Sequence, residues 1–293
     1  MDNESIRVLG VDVGGSSVKM GLLDPALGLI DVCKADSIVG DPEGMADLIC
    51  GLATRYKPDI VGVGTAGMIN RATGLVSASN LKWRDVGFRR MLEERLKKPV
   101  WVDNDAQAAL MAEAHSGVIA GARCAVYITL GTGVGGALYI DGRPWRGDDN
   151  TAFELGHIIT RADGELCTCG RRGCFECYAS SGALSRYAGG RSPREVIDGV
   201  LAGRPEDQRV FDIYVHELCV GLVTIMCLFR PDVIAIGGGV SSAGAALIDG
   251  IEREKETLLA SRPGLYTMNV KLAVHKNDAG MIGAAALARI HLT

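Results

Sequence analysis

Residues 7–23 read R-V-L-G-V-D-V-G-G-S-S-V-K-M-G-L-L. Arg7 to Val13 has the composition of a buried strand, Gly14 and Gly15 turn it, and Ser17 to Leu23 returns. This is the pattern of a β-hairpin with a glycine-rich tip. It recurs about half a chain later. There Cys124 to Leu130 is an apolar strand, Gly131-Thr132-Gly133-Val134-Gly135-Gly136 the turn, and Ala137 to Ile140 the return. Two such units predict a duplicated architecture.

Around them strands alternate with helices. Helical patterns cover Pro42 to Tyr56, Phe88 to Leu96, Ala106 to His115, most of Ser192 to Arg230, Ala243 to Glu256 and Met281 to Ile290. Short apolar strands cover Ile60 to Val63, Val100 to Val102, Val233 to Ile236 and Val270 to Val274. The alternation predicts an α/β fold with its site on the loops at the strand ends.

Composition narrows the function. A chain of 293 residues can bury a full core, and its length suggests two domains. The net charge of −4 is interspersed, so no basic stripe suggests nucleic acid and no polybasic segment a membrane surface. No run approaches the roughly 18 apolar residues of a membrane span. Met1 to Ile6 is polar, so no signal peptide is expected. A chain without one keeps its nine cysteines reduced.

Three strands end in glycine turns. In the first, Asp12, Gly14, Gly15, Ser16, Ser17 and Lys19 combine close backbone approach, hydroxyls and a cation, and Asp12 can hold Mg²⁺. Gly131-Thr132-Gly133 and Gly237-Gly238-Gly239 share the pattern. One such turn is readily a plain hairpin; three suggest a nucleotide spanning a cleft. The first is neither a Walker loop nor a dinucleotide fingerprint.

Trp101-Val102-Asp103-Asn104-Asp105-Ala106 places two carboxylates and an amide at a strand-to-helix junction. Phosphoryl transfer to an alcohol needs a carboxylate beside the attacking hydroxyl. Asp105 fits that role, with Asn104 holding a neighbouring hydroxyl; the plain alternative is a helix N-cap.

Glu154 to Glu176 contains His157, Cys167, Cys169 and Cys174, four ligands for a tetrahedral zinc. Buried thiols or a redox pair are the alternatives. Four protein ligands leave no open position, so such a zinc is structural. The remaining cysteines, Cys33, Cys50, Cys124, Cys177, Cys219 and Cys227, are expected to be mostly core residues.

Taken in order, these motifs resemble the ROK family of sugar kinases and repressors. V-D-V-G-G-S-S-V-K resembles its first phosphate loop, N-D-A at 104–106 its catalytic motif, and L-G-T-G-V-G-G its second phosphate loop. E-L-G-H at 154–157 and C-T-C-G-R-R-G-C-F-E at 167–176 resemble its zinc and sugar motif. G-G-G-V at 237–240 and D-A-G-M-I-G-A-A at 278–285 resemble its adenosine loop and C-terminal helix.

The resemblance implies the hexokinase/actin-like fold: duplicated ribonuclease H-like domains with a cleft closing over ATP and a hexose. The expected domains are 1–105 and 106–277, with the helix from about 278 to 293 packing back on the first. It further implies Asp105 as general base, with Asn80, Asn104, Asp105, Glu154, His157 and Glu176 on sugar hydroxyls. The implied cofactors are ATP, Mg²⁺ and structural Zn²⁺. The implied substrate is a hexose, with glucose first. N-acetylmannosamine, N-acetylglucosamine, fructose and allose are the alternatives, and a sugar-sensing regulator is the non-catalytic one. A cytoplasmic homodimer or homotetramer without nucleic acid or membrane partners is expected, because the first loop begins too early for an N-terminal helix-turn-helix. Gly64-Thr65-Ala66-Gly67 departs from the family, where proline often precedes the last glycine.

Overall fold

The computed structural model describes residues 6–70, 73–147, 152–260 and 267–291. The chain forms two compact units. One comprises Met1–Ala120, Arg146–Ala152 and Asn277–Thr293; the other comprises Gly121–Trp145 and Phe153–Lys276.

In the first unit the hairpin is β1 (Val8–Val13) and β2 (Ser17–Leu23), with β3 (Leu29–Asp36) added at its edge. Next comes α1 (Pro42–Ala53), whose N-terminus is fixed by the Asp41 side chain accepting from Gly44 N–H and by Pro42 in its first turn. β4 (Ile60–Thr65) runs parallel to β1. A small antiparallel sheet of β5 (Met68–Asn70), β6 (Leu75–Ala78) and β7 (Trp83–Val86) follows, then α2 (Phe88–Leu96). β8 (Val100–Asn104) pairs parallel with β4 and leads into α3 (Asp105–Ser116). The main sheet has the order β3-β2-β1-β4-β8.

The second unit repeats that plan. β9 (Cys124–Leu130), β10 (Val134–Ile140) and β11 (Arg143–Trp145) form the antiparallel part. Four helices follow: α4 (Glu176–Ala179), α5 (Ser181–Tyr187), α6 (Pro193–Leu201) and α7 (Pro205–Phe229). β12 (Val233–Gly237) joins β9 in parallel, and after α8 (Ala245–Leu259), β13 (Val270–Leu272) joins β12. The order is β11-β10-β9-β12-β13, element for element that of the first sheet.

The last helix, α9 (Ala279–Ile290), belongs to the first unit and lies on β1 and β4. It sits so close that a Cβ on Gly62 would collide with the Ala284 carbonyl. α3 meets it through small side chains, Ala108 lying against Gly283. Thus the alanine runs of both helices serve close packing rather than helix propensity alone.

Several features differ from the sequence reading. β3 has no readable alternation because Leu29, Ile30 and Val32 are exposed along an edge strand. β5 to β7, β11, α4 and α5 are too short for a clear period. Of the six cysteines outside the cluster only Cys219 is buried; Cys227 is exposed, and Cys33, Cys50, Cys124 and Cys177 are partly buried. α7 is long and apolar enough to cross a membrane by length and composition. Its Phe211, Tyr214, Leu218, Leu222 and Ile225 instead fill the core of the second unit.

Candidate active site and metal centre

In the first unit, three parallel strands end at one level. Register places Asp12 opposite Gly64, Gly64 opposite Asp103, and Thr65 opposite Asn104. The carboxylates therefore gather at the C-terminal edge of the sheet, where α/β folds carry their sites. Burial pushes the Asp12 carboxyl up to about 6, the charge of Asp105 adds to the rise, and Lys19 opposes it. Asp105 is the first residue of α3. Burial raises its carboxyl, while Ala106 N–H donates to its Oδ1 at 2.9 Å and favours the ionised form.

Asn104 is the N-cap of α3, its Oδ1 accepting from Ala106 N–H at 2.9 Å and from Gln107 N–H at 3.4 Å. Its Nδ2 donates to Gly67 O at 3.0 Å. The cap at this junction is thus made by Asn104, with Asp105 sharing the Ala106 N–H. The bond to Gly67 also fixes the segment that departs from the family pattern.

Asn80 lies against Gly15 in the first glycine turn. Ser37 Oγ braces that turn by donating to Gly14 O at 2.6 Å. Gly14 N–H donates to Ser17 O, and among the described residues the amides of Gly15 and Ser16 make no backbone bond. Lys19 faces Asp12 across the β1–β2 ladder and donates its Nζ to Asn277 O at 3.0 Å.

In the second unit the other two glycine turns are neighbours, because Gly237 of β12 pairs with Thr129 of β9. Gly238 has φ +85°, and a Cβ there would stand 2.5 Å from Leu130 O. Only glycine lets the two turns approach so closely. Gly239 is open, with Ser242 Oγ donating to its carbonyl at 2.7 Å. Gly131 N–H closes on Gly133 O, and Ser181 N–H holds Gly131 O at 2.8 Å. Glu176, the first residue of α4, accepts Val134 N–H on Oε2 at 3.0 Å.

The ligand atoms of His157, Cys167, Cys169 and Cys174 all lie within 4.8 Å of one another. His157 Nδ1 is 3.7 Å from Cys167 Sγ, and Cys169 Sγ is 3.6 Å from Cys174 Sγ. Zinc–sulfur bonds of about 2.3 Å at tetrahedral angles require ligand edges of about 3.8 Å, so the set fits zinc. Gly170 and Gly173, at φ +87° and +78°, make the sharp turns of the loop. Burial pushes the Cys174 thiol up to about 12, a state a bound cation would reverse. A hydrogen bond from Arg171 draws exposed Cys169 down to about 6. Glu154 is exposed at the start of the short turn Leu155–His157. With Nδ1 turned to the cluster, His157 keeps Nε2 for another partner.

One group escaped the sequence reading. Asp103 is paired with Arg146 at 2.6 Å, the side chains only 7% and 10% exposed. The two lie 43 residues apart, beyond any local pattern.

Twin sheets of this order, each tipped by a glycine hairpin, define the two-domain actin-like and hexokinase fold. The chain belongs to the ROK family, whose model matches residues 8–290. It is 33% identical to the glucokinase of Streptomyces coelicolor, over 96% of this chain and 97% of the relative. The N-acetylmannosamine kinase of Vibrio cholerae is 28% identical over 96% and 98%. Among solved structures, a ROK family glucokinase from Streptomyces griseus, in complex with glucose and AMPPNP, superposes with a TM-score of 0.85. Its identity is 31%, over 97% of this chain and 99% of that one.

Proposed function

We propose that this chain, an ATP-dependent sugar kinase, transfers the γ-phosphate of ATP to the 6-hydroxyl of glucose. The observation that carries the reading is Asp105, an acid raised by burial in the first turn of α3, beside the cap made by Asn104. In this reading Asp105 accepts the hydroxyl proton as the new phosphate ester bond forms. The glycine turns at Gly14–Gly15 and Gly131–Gly133, and the adjoining Gly237–Gly239 segment, bind phosphate and adenosine. Asp12 and Lys19 balance charge near the phosphates, Asp12 by holding Mg²⁺. Asn80, Asn104, Glu154, His157 and Glu176 hold sugar hydroxyls. A structural zinc on His157, Cys167, Cys169 and Cys174 would order the loop that carries the last three of these. The enzyme works in the cytoplasm as a homodimer or homotetramer.

The V. cholerae relative supports a second substrate reading, N-acetylmannosamine. An ATP-coupled assay over glucose, fructose, allose and the N-acetyl hexosamines separates these. Glucose should give the highest kcat/KM, and Asp105→Ala should lower its turnover about 10³-fold or more while sugar binding stays measurable. Turnover with no sugar in the panel would overturn the kinase reading, and near-native turnover in Asp105→Ala the assigned base.

A further inference from the structure

We infer that the buried Asp103–Arg146 pair positions the catalytic strand end for phosphoryl transfer. This inference rests on the kinase reading above.

The pair lies wholly within the first unit, although Arg146 follows β11 of the second directly in sequence. Asp103 is on β8, two residues before the proposed base. One carboxylate oxygen, Oδ2, accepts from Arg146 Nη2 at 2.6 Å. The other, Oδ1, accepts from the backbone N–H of Asn104 at 2.9 Å. The carboxylate therefore fixes the peptide plane that leads into Asn104. That residue in turn fixes the α3 terminus and Gly67 O through its own side chain. The series runs Arg146, Asp103, Asn104, then Asp105.

The Arg146 carbonyl accepts from Ala152 N–H at 3.0 Å, two residues before Glu154. Within the first unit, one residue thus holds the strand that carries the proposed base through its guanidinium and Ala152 N–H through its carbonyl.

Buried ion pairs can often be replaced by apolar residues of similar volume without loss of stability. Retention of this pair for positioning predicts a penalty in turnover instead. An ångström of misplacement at the reacting atoms costs about 100-fold.

The test compares Arg146→Met, Asp103→Leu and the double variant in the full chain, with the wild type assayed in parallel. Sugar Kd is measured by calorimetry, kcat by the coupled assay and folding by circular dichroism. Each folded variant is expected to lose about 10- to 100-fold in kcat. Sugar Kd should stay within about threefold, and the double variant should be no worse than the poorer single variant, as for residues acting as one unit. A single variant that leaves a lone buried charge can misfold; the double variant leaves none and carries the test in that case. Native kcat in the folded double variant, with lowered Tm alone, would overturn the inference and leave the kinase reading intact. A wild type inactive on every sugar would overturn both.

Discussion

Substituting Asp12→Asn should stabilise the metal-free protein, and by an amount that depends on pH. Burial and the charge of Asp105 raise this carboxyl from 3.8 to about 6. Between those values the folded chain holds a proton that the unfolded chain has released. Stability therefore falls as pH rises through this window, and the whole cost is present above it. The rise from 3.8 to about 6 is worth about 3 kcal/mol above pH 7, roughly half of that at pH 5 and little at pH 4. The substituted amide cannot ionise, so the variant should gain those amounts over the wild type. The assay is urea unfolding in EDTA from pH 4 to 8, followed by tryptophan fluorescence; Trp83 and Trp101 both lie in the first unit. Because Asp105 contributes to the rise, the gain should shrink in an Asp105→Asn background. Mg²⁺ with a non-hydrolysable ATP analogue should stabilise the wild type more than the variant. A gain independent of pH, or one that grows as pH falls, would refute the argument.

Two further outcomes test other parts of the site. Purified protein should contain about one zinc per chain by mass spectrometry of the metal; Cys169→Ser/Cys174→Ser should lose it together with sugar phosphorylation, and metal retained by the double variant would place the ion elsewhere. Gly238→Ala must take φ +85° with its Cβ against Leu130 O, so it should cost about 2–4 kcal/mol and raise the ATP KM about tenfold; an unchanged ATP KM would separate this turn from the nucleotide.

The sequence revealed most where one residue type had to be used for a local physical reason. The glycine tips, the strand and helix limits from Phe88 to Leu96 and Cys124 to Leu130, and the cysteine spacing all follow from neighbours close in the chain. The duplication of the hairpin unit was legible because the second glycine turn repeats the first. What was hidden depends on contacts remote in sequence. Asp103 read only as a second carboxylate because its partner lies beyond β11. The capping role of Asn104 was legible, but its bond to Gly67 O was not, since that needs β4 and β8 side by side. Exposed Cys227 misled for the opposite reason: an apolar neighbourhood in sequence marks an element, not the face on which a given side chain falls, whereas Cys33, Cys50 and Cys124 do pack against the cores.

The equal topology of the two sheets makes their differences informative. In the first sheet Asp12 stands two residues before its glycine turn and faces Gly64 of the parallel neighbour. In the second, Thr129 stands two residues before Gly131 and faces Gly237. The frame is the same, but an acid stands at one position and a neutral hydroxyl at the other. A second carboxylate beside a phosphate turn would repel the anion that the turn is proposed to hold. At about 5 Å and an effective dielectric constant near 20 that repulsion is about 3 kcal/mol, or on the order of 100-fold in binding. Thr129→Asp should therefore raise the ATP KM by about 10- to 100-fold, with sugar affinity nearly unchanged. Thr129→Asn, similar in size but uncharged, should have a much smaller effect. Equal effects of Asp and Asn at this position would mean that packing rather than charge distinguishes the two sheets, and would remove the phosphates from the second.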